Sequence, residues 1–399
     1  MGRKVKILYI DNAISYGGAI ISISHLIRHL DKERFVPILI SEIDKIALNH
    51  IISSGCNIYR IAHPVNYVHW MKITGRAALI KNNFLRKTFL YTCSFIRTFL
   101  NSFYFLHLLG VFLKEKPDLI HINNGMEIEE ANIIGLVFNT KTIVHQRGDS
   151  MISLFRKILL KKVDLFIAVS NHTKNNMISW GIPAGKIGVM YDPVVWKEPN
   201  TVKLKKKYKI NDDDKCIGIF GRIVRWKGQK IFIEAAISIL RKHHNVRAFI
   251  VGDHADSDKD YYNDIRNIVN GSGVGDRFYF TGYVPNVWDF YSLMDIVVHA
   301  SVEPEPFGMV INEAMMYGAP VIASNEGGPL DIIQNGVDGL LIKPRDPKLL
   351  ADTIEMLLND DKKRKKMSEK AKLKVKTNFD IKTYTTKIEK LYDELLNKC

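Results

Sequence analysis

The sequence predicts an α/β protein of two doubly wound domains, and three observations carry that prediction. Short β-rich runs alternate with segments of helical length along almost the whole chain. The runs are apolar from end to end, as in parallel strands covered on both faces. The length, 399 residues, suits two or three domains of ordinary size.

Taken in order, the first half supplies VKILYI (5–10), FVPILI (35–40), the weaker NIYRI (57–61), DLIHI (118–122), TIVHQ (142–146), DLFIAV (164–169) and KIGVM (186–190). The second half supplies CIGIF (216–220), RAFIV (247–251), RFYFT (277–281), DIVVHA (295–300), PVIAS (320–324) and DGLLI (338–342). Helical segments fall at 18–30, 228–242, 258–270 and 346–359. The alternation lapses once, at the polar, proline-containing stretch 192–214, which reads as a linker followed by a short basic helix. A boundary near 195 therefore separates two Rossmann-like domains, 1–195 and 196–378. Residues 379–399 form a closing amphipathic helix, with Tyr384, Ile388, Leu391 and Leu395 on one face, expected to pack back across the junction. Two such sheets facing across a central cleft would gather their carboxyl ends there, where open α/β sheets bind ligands.

Composition narrows the class. With 46% apolar and 25% charged residues the chain is neither disordered nor fibrous. Cys56, Cys93, Cys216 and Cys399 are widely spaced and form no CxxC pair, which predicts free thiols in a reducing compartment and no zinc site. The opening MGRKVKILYID reaches an aspartate after a few apolar residues and reads as a first strand, not a signal peptide.

The net charge of +15 is unevenly spread, since residues 1–200 hold 25 Lys and Arg against 14 Asp and Glu. No acid occurs between Asp44 and Glu115, a stretch with nine bases and many aromatics, including Trp70, Tyr91, Phe95 and Phe99. Such a surface calls for an anionic partner, a phosphorylated lipid layer or nucleic acid. Between Arg97 and Lys114 lie 16 uncharged residues, with Asn101, Ser102, His107 and Gly110 among them. A span needs about 20 predominantly apolar residues, so the expectation is a helix that feeds the strand at 118 and lies peripherally on a membrane.

Three loops carry chemistry. After the first strand, Gly17-Gly18 open a helix, where a backbone can approach a phosphate and helix N–H groups can meet it. After strand 216–220, Arg222 and Lys227 flank glycines at a helix start, a site for a diphosphate whose charge two cations offset without a metal. After strand 295–300, Glu305 precedes Phe307-Gly308 and the helix that Gly318 and Pro320 stop. Glu313 lies a little over two turns inside that helix, in an apolar run where simple capping does not explain it. One carboxylate can face a sugar while the other accepts hydrogen bonds from vicinal hydroxyls such as those of ribose.

The pattern E-x7-E from Glu305 to Glu313, with its Phe-Gly and the preceding GR…KG pair, resembles the retaining glycosyltransferases of the GT-B fold, the large group called family 4. The likeness covers nearly the whole chain, through VSNHTKNNM (169–177), FTGYV (280–284), GGPLD (327–331) and NGVDGLLIKPRD (335–346). It implies an acceptor-binding N-terminal domain and a C-terminal domain that binds a nucleotide-diphosphate sugar, with no cofactor or metal. Glu305 would face the donor sugar, and the amides of Phe307, Gly308, Met309 and Val310 would hold its hydroxyls and phosphate. Glu313 would bind the ribose, Arg222 and Lys227 the diphosphate, and Val284 would lie near the base, uracil or guanine. Gly17 and Gly18 would approach the diphosphate from the N-terminal domain. His145, at the end of strand 142–146, resembles the family histidine that contacts the transferred sugar. Two departures stand out: Asp192-Pro193-Val194 where relatives usually show Asn-Gly, and Asp331 for the commoner glutamate after Gly-Gly.

The expected function is transfer of a hexose-type sugar, with retention, to a lipid-linked or glycan acceptor in cell-surface polysaccharide or glycolipid synthesis. The enzyme would be cytoplasmic, peripheral on the inner face of the membrane. Two other readings compete. A GT-B nucleotide-sugar epimerase would act on the donor alone and have little use for the basic patch. A basic membrane- or nucleic-acid-binding protein would suit the pI of 9.4, but no recognised nucleic-acid-binding module is present and the bases crowd one stretch of one domain.

Overall fold

The computed structural model describes residues 3–13, 17–43, 48, 51, 54–64, 70, 75, 80, 82–126, 128–148 and 154–397. Cys56, Cys93 and Cys216 are free thiols, and Cys399 lies outside the described residues. The chain divides into two compact units. The first comprises Met1–Ala168, Lys174–Val189 and Thr385–Cys399; the second comprises Val169–Thr173 and Met190–Tyr384.

The first unit holds a seven-stranded parallel sheet in the order β3-β2-β1-β4-β5-β6-β7. Its strands are β1 (Val5–Asp11), β2 (Phe35–Ser41), β3 (Asn57–Arg60), β4 (Leu119–Ile122), β5 (Lys141–Gln146), β6 (Leu165–Ala168) and β7 (Ile187–Val189). The second unit holds a six-stranded parallel sheet in the order β10-β9-β8-β11-β12-β13. These are β8 (Lys215–Phe220), β9 (Val246–Val251), β10 (Phe278–Phe280), β11 (Ile296–His299), β12 (Val321–Ser324) and β13 (Leu340–Ile342). Every apolar run expected to be a strand is one. Both sheets reverse direction beside their first strand, which opens a crevice between β1 and β4 in one and between β8 and β11 in the other.

The strands read as continuous apolar runs because both faces are covered. In the second unit, Cys216, Phe220, Phe249, Val297 and Val321 join one core with Ile311, Ala314 and Met315. The alternate residues Ile217, Ile219, Ile250, Val298 and Ile322 join the other, with Phe232, Ile239 and Ile354. In the first unit, Leu8, Ile10, Ile38, Ile120 and Val144 pack under Tyr104, Leu108 and Phe112.

Two expectations need adjustment. The segment before β4 is a single helix of 33 residues, Asn83–Glu115, capped by Asn82, whose side chain accepts from the amides of Phe84 and Leu85. By length and composition that helix is able to cross a membrane, and 24% of its apolar 18-residue window is covered by protein. The closing helix, Ile381–Leu396, buries Ile381, Tyr384, Ile388 and Tyr392, while Leu391 and Leu395 are only partly covered. The buried stripe is shifted by one position because Tyr392 reaches polar partners inside the first unit's core. The helix begins in the second unit and ends in the first.

Candidate functional site

The second unit's crevice lies where β8 and β11 end side by side. The loop leaving β8 makes one tight turn at Arg225–Lys227 before the helix Gln229–Lys242. Gly228 joins turn and helix at φ 74°, and a Cβ there would stand 1.9 Å from the carbonyl oxygen of Ala300. Only glycine lets the two loops press together, and the amide of Val302 donates to Trp226 O at 2.8 Å across the same seam. From the far side, Gly327 (φ 75°) lies against the backbone of Glu305, and the amide of Gly328 donates to Glu305 O at 2.7 Å. Glu305 is thus fixed from both flanks.

Its side chain points at Lys227. The ammonium lies 2.6 Å from Oε2 and 2.7 Å from Oε1, with both side chains largely covered. Ser301 donates to Oε2 at 3.0 Å, and His299 Nε2 is 3.2 Å from the same oxygen. Burial alone would raise this carboxyl's pKa, but the Lys227 ammonium and the bond from His299 outweigh it and hold the group well below the usual carboxylate range. The indole of Trp226 lies under the ammonium at 4.3 Å.

Beyond Glu305 the buried Phe307 stacks on Tyr191 with ring centroids 5.9 Å apart. Gly308, at φ 101°, opens the helix Met309–Tyr317, and Gly318, at φ 85°, closes it. Met309 and Val310 are half-buried at its mouth. Glu313 accepts a hydrogen bond from Tyr291 at 2.7 Å. Burial pushes its carboxyl up to about 7, and the Tyr291 hydroxyl opposes that only in part. Arg222 is exposed, and among the described residues its guanidinium forms no ion pair or hydrogen bond. Its carbonyl accepts from Gln229. Val284 follows β10 and is half-buried against the core that contains Phe307. Asp331 accepts from the backbone and side chain of Asn171, at 2.5 and 3.2 Å.

The second unit therefore brings Lys227 and Glu305 into contact and leaves Glu313 apart, bonded to Tyr291. Sequence reasoning missed His299, Ser301 and Tyr291. The first two had a signal, because residues two apart at a strand end share a face and both precede the acidic loop. Tyr291 had none.

In the first unit, Gly17 caps and Gly18 starts the helix Gly18–His29. Gly17 is in extended backbone, and residues 14–16 of the same loop lie outside the described residues. His145 was expected at an open strand end. It is the next-to-last residue of β5, as expected, but it is wholly covered, with its ring stacked on His121. Asn123 donates to Asp11 and, at 3.1 Å, to Ala19 O. Burial raises the Asp11 carboxyl's pKa against the opposing bonds from Asn123 and Ala13. Among the described residues no group of three His, Cys, Asp or Glu side chains is arranged to hold a metal ion.

Residues 16–195 match the family described as Glycosyltransferase Family 4, and residues 200–374 match Glycosyl transferases group 1. The chain is 26% identical over 248 residues to the lipopolysaccharide core biosynthesis mannosyltransferase LpsB of Rhizobium meliloti, covering 60% of this chain and 68% of that one. It is 26% identical over 319 residues to the capsular polysaccharide biosynthesis glycosyltransferase CapM of Staphylococcus aureus, covering 73% and 81%. Among solved structures, Anabaena Alr3699/HepE in complex with UDP and glucose superposes with a TM-score of 0.78 over 98% of this chain and all of that one, at 22% identity. That likeness gives the fold, GT-B.

Proposed function

The chain belongs to the family 4 glycosyltransferases, and from that premise we propose that it moves a hexose-type sugar from a nucleotide diphosphate to a lipid-linked or glycan acceptor in cell-surface polysaccharide or glycolipid synthesis. The observation that carries the reading is the Lys227–Glu305 contact at the carboxyl ends of β8 and β11, the crevice where such sheets take nucleotides. Lys227 and the exposed Arg222 offset the charge of the departing diphosphate. The amides at Phe307, Gly308, Met309 and Val310 supply unpaired donors at a helix start for its oxygens. Glu305 is kept ionised to face the sugar, Glu313 receives the ribose hydroxyls, and Val284 lies beside the base. Gly17, Gly18 and His145 are assigned to the same donor on the family resemblance. The leaving phosphate stays on the face it departed from and takes the acceptor's proton, so the configuration is retained.

CapM and LpsB, which build capsule and lipopolysaccharide, support an acceptor of this class. UDP in the HepE complex supports a nucleoside diphosphate, and a mycobacterial relative that uses GDP-mannose keeps guanine open beside uracil. A thermal-shift panel of UDP- and GDP-sugars tests the donor: selective stabilisation by one of them is expected. No shift with any nucleotide sugar, together with unreduced turnover in both Lys227→Ala and Arg222→Ala, would refute the assignment.

The acceptor reading leans on helix Asn83–Glu115. Phe84, Tyr91 and Phe95 are each about three-quarters exposed, and Arg86, Lys87, Arg97 and Lys114 lie along the same helix with no acid before Glu115. Its second half is tied down, with Tyr104, Leu108 and Phe112 buried against the sheet, which favours lying on an anionic membrane over crossing it. Co-sedimentation with vesicles at rising salt tests this, and absence of binding at low salt would remove the membrane.

A further inference from the structure

A line of polar side chains crosses the core of the first unit. Tyr9 pairs with His121 across β1 and β4, and His121 pairs with Ile143 across β4 and β5, which puts Tyr9, His121 and His145 on one face of the sheet. All three are fully covered, as is Tyr392 of the closing helix. The Tyr392 hydroxyl lies 2.7 Å from His121 Nδ1 and 3.1 Å from the Tyr9 hydroxyl. The His121 ring stacks on His145 at 5.6 Å between centroids and 25° between planes. At the other end, Arg147 Nη2 is 3.3 Å from His145 Nδ1, while Arg147 Nε donates to Asn123 O and Oδ1 at 3.0 and 3.2 Å.

A guanidinium can only donate, so the nitrogen it faces must carry the lone pair. The imidazole proton then sits on Nε2. That atom is buried and, among the described residues, has no hydrogen-bond partner. Burial, the Arg147 charge and His121 together hold the ring's basicity well below its ordinary value, so it stays uncharged at neutral pH. An uncharged ring with an unpaired N–H inside a core is costly, and such a group calls for a partner that the protein itself does not supply.

We propose that Arg147 is a positioning residue for His145: it locks the imidazole proton on Nε2, so that His145 meets the donor as a hydrogen-bond donor to an oxygen and not as a base, with the ring plane set by His121 and Tyr392. The proposal rests on the reading of His145 as a sugar contact. Arg147 acts through Nδ1, and the closing helix acts through the stack.

The test is imidazole ¹⁵N spectroscopy on the full chain labelled at histidine, with the His145 signals identified by their loss in His145→Gln. The wild type is expected to show the Nε2-protonated pattern. Arg147→Met is expected to show mixed tautomers and about tenfold lower turnover, the loss of one hydrogen bond's worth of orientation. Arg147→Lys keeps a donor and should recover most of both. An Nδ1-protonated His145 in the wild type, or an unchanged pattern in Arg147→Met, would overturn the proposal. His145→Gln retains an N–H near the Nε2 position and should outperform His145→Ala. Full turnover in His145→Ala would overturn the sugar-contact reading itself, which the spectra test separately.

Discussion

The Lys227 ammonium sits within 2.7 Å of both carboxylate oxygens of Glu305, so the cation assigned to the diphosphate is already matched by an acid of the same crevice. A buried pair of this kind contributes little by itself, but removing one partner strands the other.

Lys227→Ala is therefore expected to lose on two counts. It leaves Glu305 buried beside only His299 and Ser301, at a cost of about 3–5 kcal/mol in stability without ligand. It also lowers turnover by orders of magnitude. Lys227→Met combined with Glu305→Gln should restore the melting temperature but not the activity. A double variant as unstable as Lys227→Ala would show that the pair is not what fixes the crevice.

Acid should weaken the fold through Glu305. Its folded-state pKa is depressed, so its contribution is fully present above the unfolded value, about 4.3, and is lost as pH falls toward the lower folded value. Denaturant unfolding between pH 5 and 3 is expected to fall less steeply in Glu305→Gln than in the wild type, as read from the midpoint concentration.

Glu313 should have the opposite sign. Its folded pKa, about 7, lies above the unfolded one, so the folded state holds the extra proton between them and stability declines as pH rises from about 4.3 to 7. Glu313→Gln should remove that decline. Because a carboxylate accepts hydroxyl donors better than its acid does, donor affinity measured by calorimetry is expected to strengthen as pH rises through 7 in the wild type only. A flat wild-type profile would separate Glu313 from ribose.

Arg86→Ala with Lys87→Ala should weaken binding to anionic vesicles by about 2 kcal/mol, near thirtyfold. Both residues are exposed, so the melting temperature should stay unchanged. Equal binding by wild type and double variant at low salt would detach this helix from the membrane reading.

Gly228→Ala places a methyl onto the Ala300 carbonyl in a left-handed conformation, so it should destabilise by more than about 1 kcal/mol and cut turnover as the Lys227 loop shifts. Gly336→Ala, with open space at a similar φ, is the control: a smaller loss is expected in a thermal melt.

The strands were legible because parallel sheets need apolar residues at every position, a pattern that survives without knowing which face each residue takes. Glu305, Lys227 and the Gly308–Gly318 helix were legible because each stands at a junction where its residue type is unusual. What stayed hidden depends on contacts across the sheet. His299 and Ser301 look like ordinary strand-end residues until Glu305 folds back on them. His145 looks exposed at a strand end until Tyr392, some 250 positions later, is seen to anchor the histidine stacked on it. The shift of the closing helix by one position has the same origin: hydropathy favours Leu391 and Leu395, while a hydroxyl with two buried partners selects Tyr392.

That helix has a consequence for how the protein is made. Tyr392 fills a place between Tyr9 and His121, so the first unit's core stays open on that side until Tyr392 itself has been translated. A fragment ending at the linker would leave the buried polar rings of Tyr9 and His121 without the hydroxyl that bonds both, and proteolytic removal of Thr385–Cys399 should loosen the beginning of the chain before its middle.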